Sequence, residues 1–256
     1  MSMKDYRKVA RLNLKGHWKT AIALCFVYAI LGIVLEAATA LVSIVAEMDL
    51  VSDSWLSLLS IVSLIATVGS MAVSGALALG KARYFTNLAS DQPGQLMDLF
   101  SRFPIFAKAV WMQFVINFFV GLWSLVGILP ASFIVTPALM NLSYDGAMII
   151  MLIVMLFASF PGWMASYRYA MVPYLIAEFP DLPVMDAMRE SKRLMEGNKW
   201  ELFRLNLSFF GWTLLSIIGL GIGFLWLTPY MSAANAVFYM KVTGRGPIPP
   251  SMQPEQ

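Results

Sequence analysis

Residues 55–80, from Trp55 to Gly80, read WLSLLSIVSLIATVGSMAVSGALALG and contain no charge. A bilayer's hydrocarbon core is about 30 Å thick and takes about 20 helical residues at about 1.5 Å each. This run is longer than that requirement and nothing in it breaks the pattern. It predicts a transmembrane helix, and the rest of the chain is read outward from it.

The whole composition agrees. Of 256 residues, 59% are apolar and 13% are charged, where a soluble domain carries about 25% charge. With a mean hydropathy of +0.71, the chain has too little polar surface to cover a water-soluble globule. The same numbers exclude a disordered chain, which needs low hydrophobicity and high net charge. A net charge of +3 would suggest nucleic acid in a soluble protein. Here membrane orientation accounts for the basic residues, and no nucleic-acid partner is expected.

Upstream, 20–46 forms a second apolar run, interrupted only by Glu36. Downstream, 109–130 is a third span, with an extension through Pro137 to Met140 as the longer reading. The fourth is 147–168, with Pro161 and Gly162 as expected kink points. The last apolar stretch, Leu202 to Met240, is too long for one helix. Gly219, Gly221 and Gly223 divide it into 202–218 and 224–240, each short for a full crossing. A re-entrant hairpin is the alternative reading of that pair.

The basic residues fall in alternate connections. Six precede the first span, from Lys4 to Lys19; Lys81, Arg83, Arg102 and Lys108 lie between the second and third. Arg168, Arg189, Lys192, Arg193, Lys199 and Arg204 lie between the fourth and fifth, and Lys241 and Arg245 follow the sixth. The other connections carry only Glu47, Asp49, Asp53 and Asp145. This is a positive-inside pattern, with both termini cytoplasmic. The apolar part of 20–46 is too long for a signal-peptide core of about 7–15 residues, so the first span is read as uncleaved. The expected fold is an all-α polytopic membrane helix bundle, with six transmembrane helices as three hairpins and cytoplasmic interfacial amphipathic helices. It forms one membrane domain over 1–242, and a Pro-rich tail, 243–256, is expected to be disordered.

Each hairpin follows a lead-in that mixes basic and large apolar residues, as an interfacial segment does. Arg11-Leu-Asn-Leu-Lys-Gly-His-Trp18 and Arg193-Leu-Met-Glu-Gly-Asn-Lys-Trp200 are nearly the same phrase; Leu99 to Lys108 is a looser version. The segment Pro183–Glu196 is an amphipathic helix by its spacing, with Val184, Ala187, Met188, Ser191, Leu194 and Met195 on one face. Asp181 is its expected cap, Pro183 its first helical residue, and Gly197 its left-handed stop.

Several phrases carry a family resemblance. They are Leu14-Lys-Gly-His-Trp18, Ser191-Lys-Arg-Leu-Met-Glu-Gly-Asn-Lys-Trp200, Leu207-Ser-Phe-Phe-Gly-Trp212, Gly221-Ile-Gly-Phe-Leu-Trp-Leu-Thr-Pro-Tyr230 and Ala236-Val-Phe-Tyr239. Together they resemble the uncharacterised bacterial integral membrane family "domain of unknown function 975", over most of the chain and most densely after Pro161. The resemblance implies a multi-pass protein of the bacterial cytoplasmic membrane without an assigned activity. It supplies no catalytic residue. It marks Gly16, Trp18, Ser191, Gly197, Trp200, Gly211, Trp212, Gly221, Gly223, Pro229 and Tyr230 as structural motif positions.

Catalytic chemistry finds little to work with. His17 is the lone histidine and Cys25 the lone cysteine, so a metal site of two His or Cys ligands and a disulfide framework are both excluded. No phosphate-binding loop or dinucleotide fingerprint occurs. Neither an enzymatic activity nor a cofactor is expected. Transport would show as ionisable or strongly polar groups within spans. The candidates are Glu36, Gln113, Asn117, Asn206 and Asn235, read first as solvated or interhelical hydrogen-bonding groups. The expected function is that of a non-enzymatic membrane module acting through lipid contact, a protein partner or self-association. A permease, or permease subunit, for a small or amphiphilic molecule is the alternative.

Overall fold

The computed structural model describes residues 2–47, 53–92, 94–139 and 144–245. All regular structure among them is helical. The helices are α1 (Met3–Leu14), α2 (Trp18–Glu47), α3 (Asp53–Ala89), α4 (Phe106–Leu139), α5 (Tyr144–Ala158), α6 (Phe160–Arg168), α7 (Val172–Glu178), α8 (Val184–Leu194), α9 (Lys199–Leu207), α10 (Phe210–Ile218) and α11 (Phe224–Val242). Two 3-10 turns, Leu96–Phe100 and Phe103–Ile105, lead into α4.

Four stretches among the described residues are long and apolar enough to cross a membrane: Trp18–Ala37, Ile61–Ala89, Leu96–Phe133 and Met148–Glu178. Their outer parts are apolar and exposed, as in Ile33, Leu64, Ile65, Phe133, Leu156 and Phe157. Such surface is stable only against lipid or another apolar partner. The inner ends differ sharply. There Tyr84, Phe85, Leu99, Met112, Met171, Ile176, Met195, Phe238 and Tyr239 form one buried cluster with α1 and the start of α2. The molecule is thus a tightly packed base at its basic end, with long apolar helices leaving it.

Small residues let the helices of that base approach closely. A Cβ on Gly80 would collide with the Leu99 carbonyl, and one on Gly75 would lie 2.9 Å from the Ala109 carbonyl oxygen. Gly69, in the same small-residue stripe, has open space around it. Near the outer end, Gly127 abuts the Ala158 carbonyl and Gly162 abuts Ser124, which joins α4 to the α5–α6 break at Ser159.

Three elements depart from the sequence reading. The third span does not stop at Pro130: α4 runs without interruption from Phe106 to Leu139, following the longer of the two readings through Pro137; proline is tolerated in helices whose neighbours are apolar helices or lipid. The stretch 202–218 is divided at Ser208–Phe209 into α9 and α10. With nine residues, α10 is about 13 Å long, under half a bilayer core. Finally, α8 begins one residue later than its composition suggests. Pro183, not Asp181, occupies the N-cap, and no side chain caps the helix there.

Beyond α11, Thr243 and Arg245 close the helix with backbone bonds to Tyr239 and Met240, and Gly244 sits at φ +73°. Arg245 also pairs with Glu178. The placed chain therefore continues three residues into the expected tail, and 246–256 lie outside the described residues.

Candidate functional site

The site begins with α1. Ser2 caps it: its side chain accepts from the Lys4 amide at 3.4 Å, and its own amide donates to Asp5 Oδ2 at 2.8 Å. Tyr6, Val9, Ala10 and Leu14 are buried. Lys4, Arg7, Lys8 and Arg11 follow the i, i+3, i+4, i+7 spacing and form a second, cationic stripe along the helix.

Tyr6 fixes the helix against the base. Its ring lies 5.9 Å from that of Phe238, and its hydroxyl donates to Glu201 Oε1 at 2.9 Å. Lys241 Nζ donates to the other carboxylate oxygen at 2.6 Å. Burial pushes the Tyr6 phenol well above its ordinary pKa, and the Glu201 carboxylate beside it pushes the same way. Burial raises the Glu201 carboxyl too, but the hydrogen bonds from Lys241 and Tyr6 outweigh it and hold the group below its ordinary value.

The break between α9 and α10 meets this stripe. Arg7 donates to the Ser208 carbonyl at 3.4 Å, and the Tyr230 hydroxyl donates to the Arg7 carbonyl at 3.1 Å. Phe209 stands edge-on to Tyr230 at 5.1 Å. Trp18 lies 6.5 Å from the other side of Tyr230, and the Arg11 guanidinium sits 5.8 Å from its ring centre. At the turn into α11, Gly221 has φ +83°, and Gly223 leaves no room for a Cβ beside Ser216. The hairpin is thereby closed tightly enough to hold Trp212 and Trp226 over the same space.

The result is a cleft of about 690 Å³, within the range of small-molecule pockets. Lys4, Arg7, Lys8 and Arg11 form one wall; Trp18, Trp212, Trp226 and Tyr230 form the other, with Leu215 and Leu227 between. No carboxylate is among its lining residues. Cations, aromatic rings that are polar at one edge, and apolar side chains share one cleft. These are the groups found together at a headgroup–hydrocarbon boundary.

The intramembrane polar candidates do not converge there. Glu36 lies on α2, exposed, beside Tyr28 and Ser74 in a shallow apolar depression. Gln113 donates to Asn117 at 3.5 Å along α4. Asn206 and Asn235 both line a cavity of about 260 Å³ that also borders Ser166, Tyr167 and Tyr174. Their amide oxygens are buried and accept no hydrogen bond from the described residues.

The motif positions divide likewise. Trp18, Trp212, Gly223 and Tyr230 border the cationic cleft, although three separate phrases supply them. Gly16 and Gly197 are equivalent joints, at φ +88° and +78°, each between an amphipathic helix and the next helix. Ser191 is fully buried; it donates to the Arg168 carbonyl at 2.8 Å and accepts from the Met171 amide at 3.3 Å. Trp200 is exposed and stacks on Phe203 at 4.9 Å. Gly211 is exposed on α10, and Pro229 is buried within α11.

Sequence reading missed the cleft because it assigned the α1 cations to orientation alone. Their spacing, with Trp18 at the next helix start, was the available signal. Nothing local marks Glu201 as the partner of Tyr6 and Lys241.

A family model described as "Protein of unknown function (DUF975)" matches residues 1–246. No curated protein and no solved structure matches the chain.

Proposed function

The chain belongs to the DUF975 family of unknown function, and from that premise we propose that it is a non-enzymatic, multi-pass module of the bacterial cytoplasmic membrane. It acts by engaging lipid at its basic end, and it offers its exposed apolar helices to a membrane protein partner or a second copy. The observation that carries this reading is the cleft in which the α1 cations face the aromatic residues of the α10–α11 hairpin.

The topology we propose has the packed base at the cytoplasmic face and both termini inside, following the charge alternation. Two hairpins cross the bilayer. The third pair of apolar segments keeps the even count of the six-span expectation but forms a re-entrant hairpin. Two features support this. The turn at Gly223 borders the same cleft as Lys4 and Lys8, so the hairpin does not reach far from the headgroup layer. Its tip is apolar and open, with Ile218 79% and Leu220 93% exposed, which suits immersion in the inner leaflet.

Isolation of the full chain in discs of native membrane, followed by mass spectrometry of everything retained, tests the reading. Enriched lipid or one stoichiometric protein partner is the expected result. A bound water-soluble metabolite, without either, would contradict it. The permease alternative draws on a separate observation, the cavity that Asn206 and Asn235 both line. Substrate uptake into vesicles that is lost on changing those two residues would favour it.

A further inference from the structure

We propose that the cleft between α1 and the α10–α11 hairpin is a binding site for the headgroup of an anionic phospholipid. This rests on reading the chain as a lipid-contacting module and deepens it by naming the lipid class.

Four observations converge on this ligand. The wall formed by Lys4, Arg7, Lys8 and Arg11 carries four positive charges, and no carboxylate lines the cleft to neutralise them. Of the acids around α1, Glu201 is already engaged by Tyr6 and Lys241, and Asp5 accepts from the Ser2 amide at the helix start. The cations are therefore available to an external anion, and a phosphodiester suits them in charge and in acceptor count.

The site is also built, not merely basic. Arg7 is half-buried and tied to the Ser208 carbonyl, its backbone holds Tyr230, and Arg11 rests over the Tyr230 ring. The guanidinium of Arg7 thus sits at the junction of α1 with the α9–α10 break, where the phosphate would enter. Opposite it, Trp212, Trp226 and Leu215 are more than half exposed. A free phosphate has no use for that surface, whereas an acyl-linked glycerol covers it. Charge selects an anion and the apolar wall selects a lipid over a soluble phosphate ester.

The α8 helix supplies the contrast. Its exposed face is also basic, but Arg189 pairs with Asp186 and Arg193 with Glu190. Removing charge there tests general attraction to an anionic membrane without touching the cleft.

The full chain, purified in a neutral detergent, is titrated with phosphatidylglycerol and with phosphatidylcholine, and retained lipid is counted by native mass spectrometry. Phosphatidylglycerol should be retained preferentially. The variant Lys4→Gln/Lys8→Gln/Arg11→Gln should weaken that retention by about a hundredfold, each of the three interfacial cations contributing about a fivefold share. The charge-matched variant Arg189→Gln/Lys192→Gln/Arg193→Gln should change it little. Trp212→Ala should weaken it while folding normally by circular dichroism, because Trp212 is exposed.

Equal losses in the two triple variants would overturn the proposal, because net charge alone would then explain binding. So would competition by glycerol phosphate at the same concentration as the lipid, which would make this a free-phosphate site. The broader reading fails separately: a purified chain that hydrolyses the retained lipid refutes a non-enzymatic module while the cleft stands. A stable protein partner together with unchanged lipid retention in the cleft variant refutes the cleft while the module stands.

Discussion

Tyr6 and Glu201 lie 195 residues apart, yet the Tyr6 hydroxyl donates to Glu201 Oε1 at 2.9 Å inside the packed base. The bond joins the first helix to α9, and Lys241 on α11 completes it from the other side at 2.6 Å. Three elements meet at one carboxylate. The pair therefore fixes the position of the α1 cation stripe relative to the α10–α11 hairpin, and with it the shape of the cleft.

Glu201→Gln should destabilise the protein by about 1 kcal/mol, lowering its Tm in detergent by about 2–4 °C. The effect should depend on pH in a defined direction. Glu201 titrates below its ordinary value in the folded protein. Its contribution is complete above the unfolded carboxylate pKa of about 4.3 and disappears as pH falls through the lower folded value. Melting curves of the two proteins should differ at neutral pH and converge as the pH falls below the lowered folded value. A constant difference across that range would mean that the carboxylate's charge is irrelevant.

Gly197→Val should reduce abundance and detergent stability by about 1–2 kcal/mol, because Gly197 sits at φ +78° with open space around its Cα and a β-branched residue resists that backbone. Gly197→Asn should cost less, since asparagine tolerates the left-handed region. Trp200→Ala should act more mildly, removing the stack on Phe203. Comparable losses for Asn and Val would indicate a steric cause and contradict the backbone account.

Glu36→Gln should leave expression and any measurable phenotype nearly unchanged, as should Asn206→Leu/Asn235→Leu, which makes the small cavity more apolar and removes two amide oxygens that accept no hydrogen bond from the described residues. The double variant should keep its Tm or gain a few degrees. A phenotype matching loss of the gene, at normal protein abundance, would move the account toward transport.

How much of this was legible in the sequence depends on the range of the interaction. The uncharged run 55–80 and its neighbours declare membrane helices because length and apolarity are local properties. Gly197 declares a helix stop because backbone freedom belongs to the residue itself. The division of 202–218 is different: Ser208 and Phe209 are ordinary residues in an apolar run, and the break arises where Arg7 meets the Ser208 carbonyl. The extent of α4 past Pro130 stood open between two readings, since a proline's effect on a helix is set by its surroundings. The cleft was the least legible feature. Its cations were visible at their helical spacing, but the long-range contacts of Tyr6 with Glu201 and of Arg7 with Ser208 and Tyr230 bring them against Trp212 and Trp226.

Single-cysteine labelling in intact cells tests the proposed topology, on which the cleft's place in the inner leaflet depends. On a Cys25→Ser background, an impermeant thiol reagent added outside should label Ser52→Cys and Ser143→Cys, and should leave Ser90→Cys and Asn198→Cys unlabelled until the cells are opened. Leu220→Cys decides the third hairpin. Absence of outside labelling there is the result predicted for a re-entrant hairpin. Labelling of Leu220→Cys from outside would show full crossings and remove the cleft from the inner leaflet, and labelling at position 90 or 198 would overturn the orientation itself.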